Sequence, residues 1–166
     1  MAPRLTIAFS QPDPAAGPDR SPAESVVSLG GYLQYISTAI VAAHSSDHVT
    51  RLQFACDPHC VVPPERALLI CSIAVELVTN AVKYAHPTGV AGEIEVGCGQ
   101  GPDGTITVEV SDDGVGLPEG LDPMKADSLG LRIVRSLAAQ LGARVEFEHN
   151  ALGLSCVLRT PGELRA

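Results

Sequence analysis

Two hydrophobic periods run along this chain, and the places where one gives way to the other mark its elements. From Leu29 onward, Tyr32, Leu33, Ile36, Ile40 and Val41 recur at helical spacing. They predict a first amphipathic helix ending near Ala43, followed by a polar turn holding His44 and His48. Residues 51–56 then alternate as a short strand, and residues 57–64 form a loop broken by prolines. Pro64 suits the first turn of a long helix, with Glu65 favourably placed near the positive end of its dipole. That helix is expected to reach about Ala85, since Pro87 and Gly89 oppose its continuation.

Residues 71–87 of this helix, CSIAVELVTNAVKYAHP, carry two stripes. At about 100° per residue, Ile70, Ala74, Leu77 and Ala81 share one face, while Glu76, Asn80 and Lys83 share another about a third of a turn away. The apolar stripe is core. The polar one combines a carboxylate, a carboxamide and an ammonium, which suits a hydrated divalent cation beside a phosphate as well as it suits an ordinary solvated face.

After the long helix the period returns to two. Residues 93–98 and 105–110 alternate around the turn sequence GQGPDG and predict an antiparallel hairpin with one wet face. The stretch SDDGVGLPEGLDPMKADSLG is too polar for core and too long for a simple connector. A helix over residues 129–141 follows, and strands over 144–148 and 155–159 meet around Asn150 and Gly153. The expected fold is a two-layer α/β sandwich, a mixed, mostly antiparallel sheet with helices on one face. Its element order does not fit an alternating βαβ Rossmann pattern.

With 166 residues the chain is long enough for one domain with a real core. Residues 1–27 read as a flexible leader because residues 11–24 are rich in Pro, Asp, Ala, Gly and Ser; a possible edge strand at 5–9 stays open. Residues 28–166 would form the domain. Hydrophobic residues are 45% but aromatics only 4%, so aliphatic side chains must do the packing. A net charge of -8 argues against nucleic acid or an anionic membrane as a partner recognised by bulk charge. With no apolar run judged to approach the roughly 18 residues of a membrane span and no signal-peptide core, a cytoplasmic location is expected. Five cysteines without a tight repeat suggest free thiols in a reducing compartment, and Cys56, His59 and Cys60 lack the second ligand pair of a structural zinc site.

Three ordered stretches carry chemistry. After the helical Glu76-to-Lys83 stripe, VSDDGVGL places Asp112 at a strand end, with Gly114 and Gly116 permitting positive φ and close backbone approach. A buried carboxylate there could accept a hydrogen bond from an exocyclic amine. Ser128-Leu129-Gly130-Leu131 then opens a helix, whose free N–H groups suit phosphate.

Together, ELVTNAVKY, SDDGVGL and SLGLRIV with LAAQLGA resemble the N, G1 and G2 boxes of the histidine-kinase ATP-binding domain, within the superfamily that includes gyrase, the heat-shock chaperone and mismatch-repair ATPases. The match covers about residues 29–161, and the Glu-x-x-Thr-Asn first box resembles the branch with a His-Arg-x-x-Asn-type phosphoacceptor. The resemblance implies the Bergerat fold and binding of ATP with Mg²⁺. It assigns Mg²⁺ to Asn80, a place near the metal or acceptor to Glu76, a phosphate to Lys83, an adenine flank to Tyr84 and the adenine amine to Asp112. Gly114, Gly116 and Gly130, with Ser128, Leu129 and Leu131, would build the pocket and phosphate turn, and residues 121–128 the lid.

The departures are equally specific. His44 and His48 lack a phosphoacceptor context, the lid lacks a phenylalanine box, and the second glycine box keeps one glycine. Gly153-Leu154-Ser155 stands where Gly-Thr is common, leaving open whether Ser155 replaces the threonine. The leading expectation is the ATP-binding catalytic module of a two-component signalling kinase, transferring phosphate to a histidine in trans or on another segment. A response regulator would lie downstream. An anti-sigma-factor-type serine kinase with a sigma-pathway partner is the alternative, and a non-catalytic scaffold is a third.

Overall fold

A computed structural model describes residues 25–44, 50–87, 89–150 and 153–162. His48 and the suggested strand at 5–9 lie outside them, as does nearly all of the leader. A five-stranded sheet has the order β2-β4-β5-β7-β6, from β2 (Thr50–Cys56), β4 (Gly92–Gln100), β5 (Ile106–Asp112), β6 (Arg144–Asn150) and β7 (Gly153–Thr160). Only β2 and β4 run parallel; every other pairing is antiparallel. A parallel pair needs a crossover, and the helix α2 (Pro64–Tyr84) supplies it. Helices α1 (Leu29–His44) and α3 (Leu129–Leu141) flank α2. The sandwich is therefore the mixed, mostly antiparallel one expected.

Aliphatic side chains fill the core. On α2 the stripe Ile70, Ala74, Leu77 and Ala81 is buried, joined by Ala67, Ile73 and Val78. These face Ile94 and Val96 of β4, Ile106, Val108 and Val110 of β5, and Leu158 of β7. Leu33 and Val41 of the expected α1 stripe are buried, and Leu29 and Ser37 join them at four-residue intervals; Ile36 and Ile40 are partly buried, whereas Tyr32 is exposed, against the expectation. Helix α3 starts at an N-cap, Ser128 Oγ accepting from the Leu131 N–H at 3.3 Å. It stops at Gly142, in the left-handed conformation at φ 61°.

The structure departs from the sequence expectation in four further places. Val27–Ser28 (β1), across the boundary drawn between leader and domain, and Val61–Val62 (β3), in a segment read as loop, form a small antiparallel ribbon. Two-residue strands carry too little alternation to be visible as a pattern. His44 closes α1 rather than lying in a turn, its Nδ1 2.9 Å from the Ile40 carbonyl. The strands of the hairpin extend beyond 93–98 and 110, β4 to Gln100 and β5 to Asp112, the carboxylate the sequence set at the strand end. Finally, α2 is long and apolar enough to meet the length and composition of a membrane span, against the expectation that no segment approached it. Much of its apolar surface is consumed by α1, α3 and the sheet.

Candidate functional site

The C-terminal half of α2, the end of β5, the loop after it and the start of α3 enclose a cavity of about 700 Å³. Its position follows from how the glycine loop docks. Ala85 caps the C-terminus of helix α2, and its carbonyl accepts the Val115 N–H at 2.8 Å. Gly114 lies flush against that helix end: a Cβ there would come within 2.2 Å of the Ala85 carbonyl oxygen. Backbone cannot yield as a side chain can, so Gly114 is required by close approach. Its φ is not positive, which corrects half of the sequence expectation; Gly116 does have φ 71°.

Docking of this loop sets Asp112 beside the polar stripe of α2. The Asp112 Oδ1 accepts the Gly114 N–H at 2.9 Å. Burial pushes the Asp112 carboxyl above its ordinary range, partly offset by N–H bonds from Gly114 and Leu154 and by the nearby His86. The adjacent carboxylate turns elsewhere. Asp113 accepts the Glu93 N–H at 2.8 Å and lies 2.9 Å from the His86 ring, tying the segment after α2 to β4. One aspartate faces the cavity and its neighbour fastens the frame.

Ten of the eleven residues singled out in the sequence line this one cavity: Glu76, Asn80, Lys83, Tyr84, Asp112, Gly116, Ser128, Leu129, Gly130 and Leu131. Gly114 is the eleventh; it stands behind the wall and shapes it. Glu76 and Asn80 are half-buried, whereas Lys83 and Tyr84 are exposed at the rim. At Gly130 a Cβ would lie 2.6 Å from Glu76 Oε2, so the bare first turn of α3 makes room for that side chain.

Several lining residues escaped the sequence reading. Leu77, Ala81, Val110, Phe147, Leu154 and Cys156 give the cavity an apolar wall, and they read in sequence only as core. Ser155 points away from it: its hydroxyl donates to Glu109 Oε1 at 2.6 Å, and Ser155 does not line the cavity. The neighbouring Leu154 does. Arg135 was also missed. From the second turn of α3 its Nη1 donates to the carbonyls of Met124 at 3.1 Å and Ala126 at 2.9 Å, holding the loop over the cavity mouth. An arginine on an amphipathic helix gives no sign in sequence of such a partner.

The family described as histidine kinase-, DNA gyrase B- and HSP90-like ATPase matches residues 65–163. The sensor histidine kinase PdtaS of Mycobacterium tuberculosis is 36% identical over 107 residues, 61% of this chain and 21% of that protein. Blue-light-activated histidine kinase 2 of Erythrobacter litoralis is 30% identical over 132 residues, 78% of this chain and 37% of that protein. The chain thus spans well under half the length of these relatives. The solved structure of the Erythrobacter litoralis EL346 blue-light activated histidine kinase superposes with a TM-score of 0.76 at 29% identity, over 84% of this chain and 43% of that one. Sequence match, fold and cavity agree, and the chain belongs to the histidine kinase-, DNA gyrase B- and HSP90-like ATPase family.

Proposed function

We propose that this domain is the ATP-binding catalytic module of a histidine-kinase-like signalling protein, working with Mg²⁺ and a phosphoacceptor histidine on another chain or segment. The observation that carries the reading is the meeting of three distant segments, around Asn80, Asp112 and Gly130, on one cavity of about 700 Å³. That volume suits a nucleotide-sized ligand. The cavity has an apolar wall for a base, a half-buried carboxylate to accept its amine and a helix N-terminus for phosphate. The absence of a side chain at Gly130 leaves room beside Glu76 at the start of α3, which supports the last point.

In this reading Asp112 orients the base through its exocyclic amine, Tyr84 flanks the ring, and Gly114 and Gly116 keep the backbone close to it. Asn80, with Glu76 beside it, supplies oxygen donors for Mg²⁺, and Lys83 contributes a point charge to a phosphate. Bound Mg²⁺ would offset phosphate charge during transfer, a reaction catalysed mainly by positioning. Ser128 through Leu131 form the phosphate turn, and residues 121–128 cover it.

Calorimetric titration of the chain with ATP, with and without Mg²⁺, tests the site. Asn80→Ala is expected to abolish Mg-dependent binding or turnover, and full activity in that variant would refute the metal assignment. Labelled transfer to acceptor domains then tests the chemistry. Acid-labile product supports phosphohistidine, acid-stable product indicates a serine acceptor, and binding without transfer to any acceptor indicates a scaffold.

A further inference from the structure

Three of the five cysteines gather at the far end of the sheet from the cavity. Cys56 ends β2 and Cys98 stands opposite it in register on the parallel strand β4. Parallel neighbours lie about 4.8 Å apart, inside the roughly 4.4–6.8 Å Cα separation that a disulfide needs. Both sulfurs lie 3.6 Å from the point where a Cβ on Gly30 would sit, so the start of α1 leaves them a shared space. That same Cβ would lie only 2.8 Å from the Cys56 Cβ, and glycine is what keeps the space open. Cys60 completes the group. The turn holding it is fixed by the Asp57 N–H donating to the Cys98 carbonyl at 2.8 Å and the Leu29 N–H donating to the Cys60 carbonyl at 3.0 Å.

We infer that Cys56 and Cys98 are a peroxide-sensitive thiol pair that closes to a disulfide between β2 and β4. Exposure separates their roles. Cys56 is partly accessible on an edge strand, while Cys98 is buried behind it. The electrostatics agree with the geometry: contact with the Cys98 thiol, whose single S–H serves one neighbour at a time, lowers Cys56 to about 7 and lowers Cys60, while Cys98 itself is raised; when protonated, the Cys56 thiol donates to the Val96 carbonyl at 3.8 Å. Burial alone raises Cys71 to about 11, and burial raises Cys156 to about 12 with a smaller push from Glu109, so both remain protonated at neutral pH.

The chemistry balances with hydrogen peroxide as oxidant. The Cys56 thiolate attacks one peroxide oxygen; an S–O bond forms, the O–O bond breaks, and the departing hydroxide takes a proton to leave as water. Cys98 sulfur then attacks the sulfenic sulfur, forming S–S and breaking S–O, and a second water leaves. Two thiols lose two hydrogens and one peroxide becomes two waters. The product ties the edge strand β2 covalently to the sheet. None of this depends on the nucleotide reading.

The test treats the reduced full chain with stoichiometric hydrogen peroxide, followed by non-reducing proteolysis and mass spectrometry. The expected product is a peptide pair joined through Cys56 and Cys98, two hydrogens lighter and released by dithiothreitol, with Cys71 and Cys156 still alkylatable. Cys56→Ser should slow thiol loss roughly tenfold or more, and Cys98→Ser should leave a dimedone-reactive sulfenic acid on Cys56. The wild-type peptide map stands even if a variant fails to fold. A map without the joined pair, a bridge through Cys60 instead, or equal consumption of Cys71 overturns the inference.

Discussion

The two halves of α2 use the same helix in opposite ways. Its first half is locked: Ala67, Ile70, Ile73 and Ala74 are buried, and Arg66 donates to the Thr160 hydroxyl and the Pro161 carbonyl across the domain. Its second half keeps Leu77, Val78 and Ala81 in the core but turns Glu76, Asn80 and Lys83 toward an open cavity. The difference lies in what covers each flank. The glycine loop and the start of α3 arch over the second half without filling the space above it. A polar helical stripe thus becomes a site when other elements enclose the space above it, because enclosure lowers the dielectric and strengthens each polar contact.

Substitutions in each half should separate stability from binding. The largest effect is expected from Ile70→Ala in the locked half, a loss of about 2–5 kcal/mol read by urea denaturation, since a fully buried side chain leaves a cavity. Nucleotide affinity of the molecules that remain folded should be unchanged. A large affinity loss without destabilisation would erase the distinction between the halves.

At the cavity, Asp112→Asn should weaken ATP binding by roughly 10- to 100-fold, the scale of one hydrogen bond to a charged group, measured by calorimetry. Its stability should move the other way. Because burial raises the Asp112 pKa, the folded chain holds that proton more firmly than the unfolded chain does. The favourable contribution is present below the ordinary carboxylate range and is lost as pH rises through the raised value. At neutral pH the buried charge is a cost to folding that asparagine removes. Denaturation midpoints should therefore favour Asp112→Asn over wild type more at pH 7 than at pH 4; the reverse trend would contradict the burial argument.

The smallest effect should come from Arg135, which holds the loop over the mouth but does not itself line the cavity. Arg135→Gln should cost about 1 kcal/mol or less in global stability while raising proteolytic cleavage within residues 121–128. The apparent ATP KM should rise about 3- to 10-fold, in line with one or two lost hydrogen bonds, with kcat little altered. Protection of residues 121–128 by Mg-ATP should be weaker than in wild type. Unchanged cleavage would show that the loop is held by something other than this guanidinium.

Much of this architecture was legible from pattern alone. Helix α3 was bounded by its Ser128 cap and by the loss of its apolar period after Leu141, signals that are local in the chain. The apolar stripe of α2 is fully buried, because helical period and core face are the same information. The ordered boxes brought out the residues around the cavity, since chemistry-bearing side chains stand out against an aliphatic background. The ribbon of β1 and β3 was too short to leave a pattern, and Arg135, Phe147 and Leu154 do what ordinary helix and strand residues do until the fold sets them beside the cavity.

Local order therefore came from the chain's own periodicity: which segments are helices, which are strands, and which faces seek burial. Only tertiary packing decided that Gly114 must be bare against Ala85, that Asp112 and Asp113 diverge, that Ser155 turns to Glu109, and that Cys56, Cys60 and Cys98 converge. The physical reason is range. Propensity and period act within a few turns, whereas close approach, burial of a charge and contact between thiols depend on residues tens of positions apart that only the folded chain brings together.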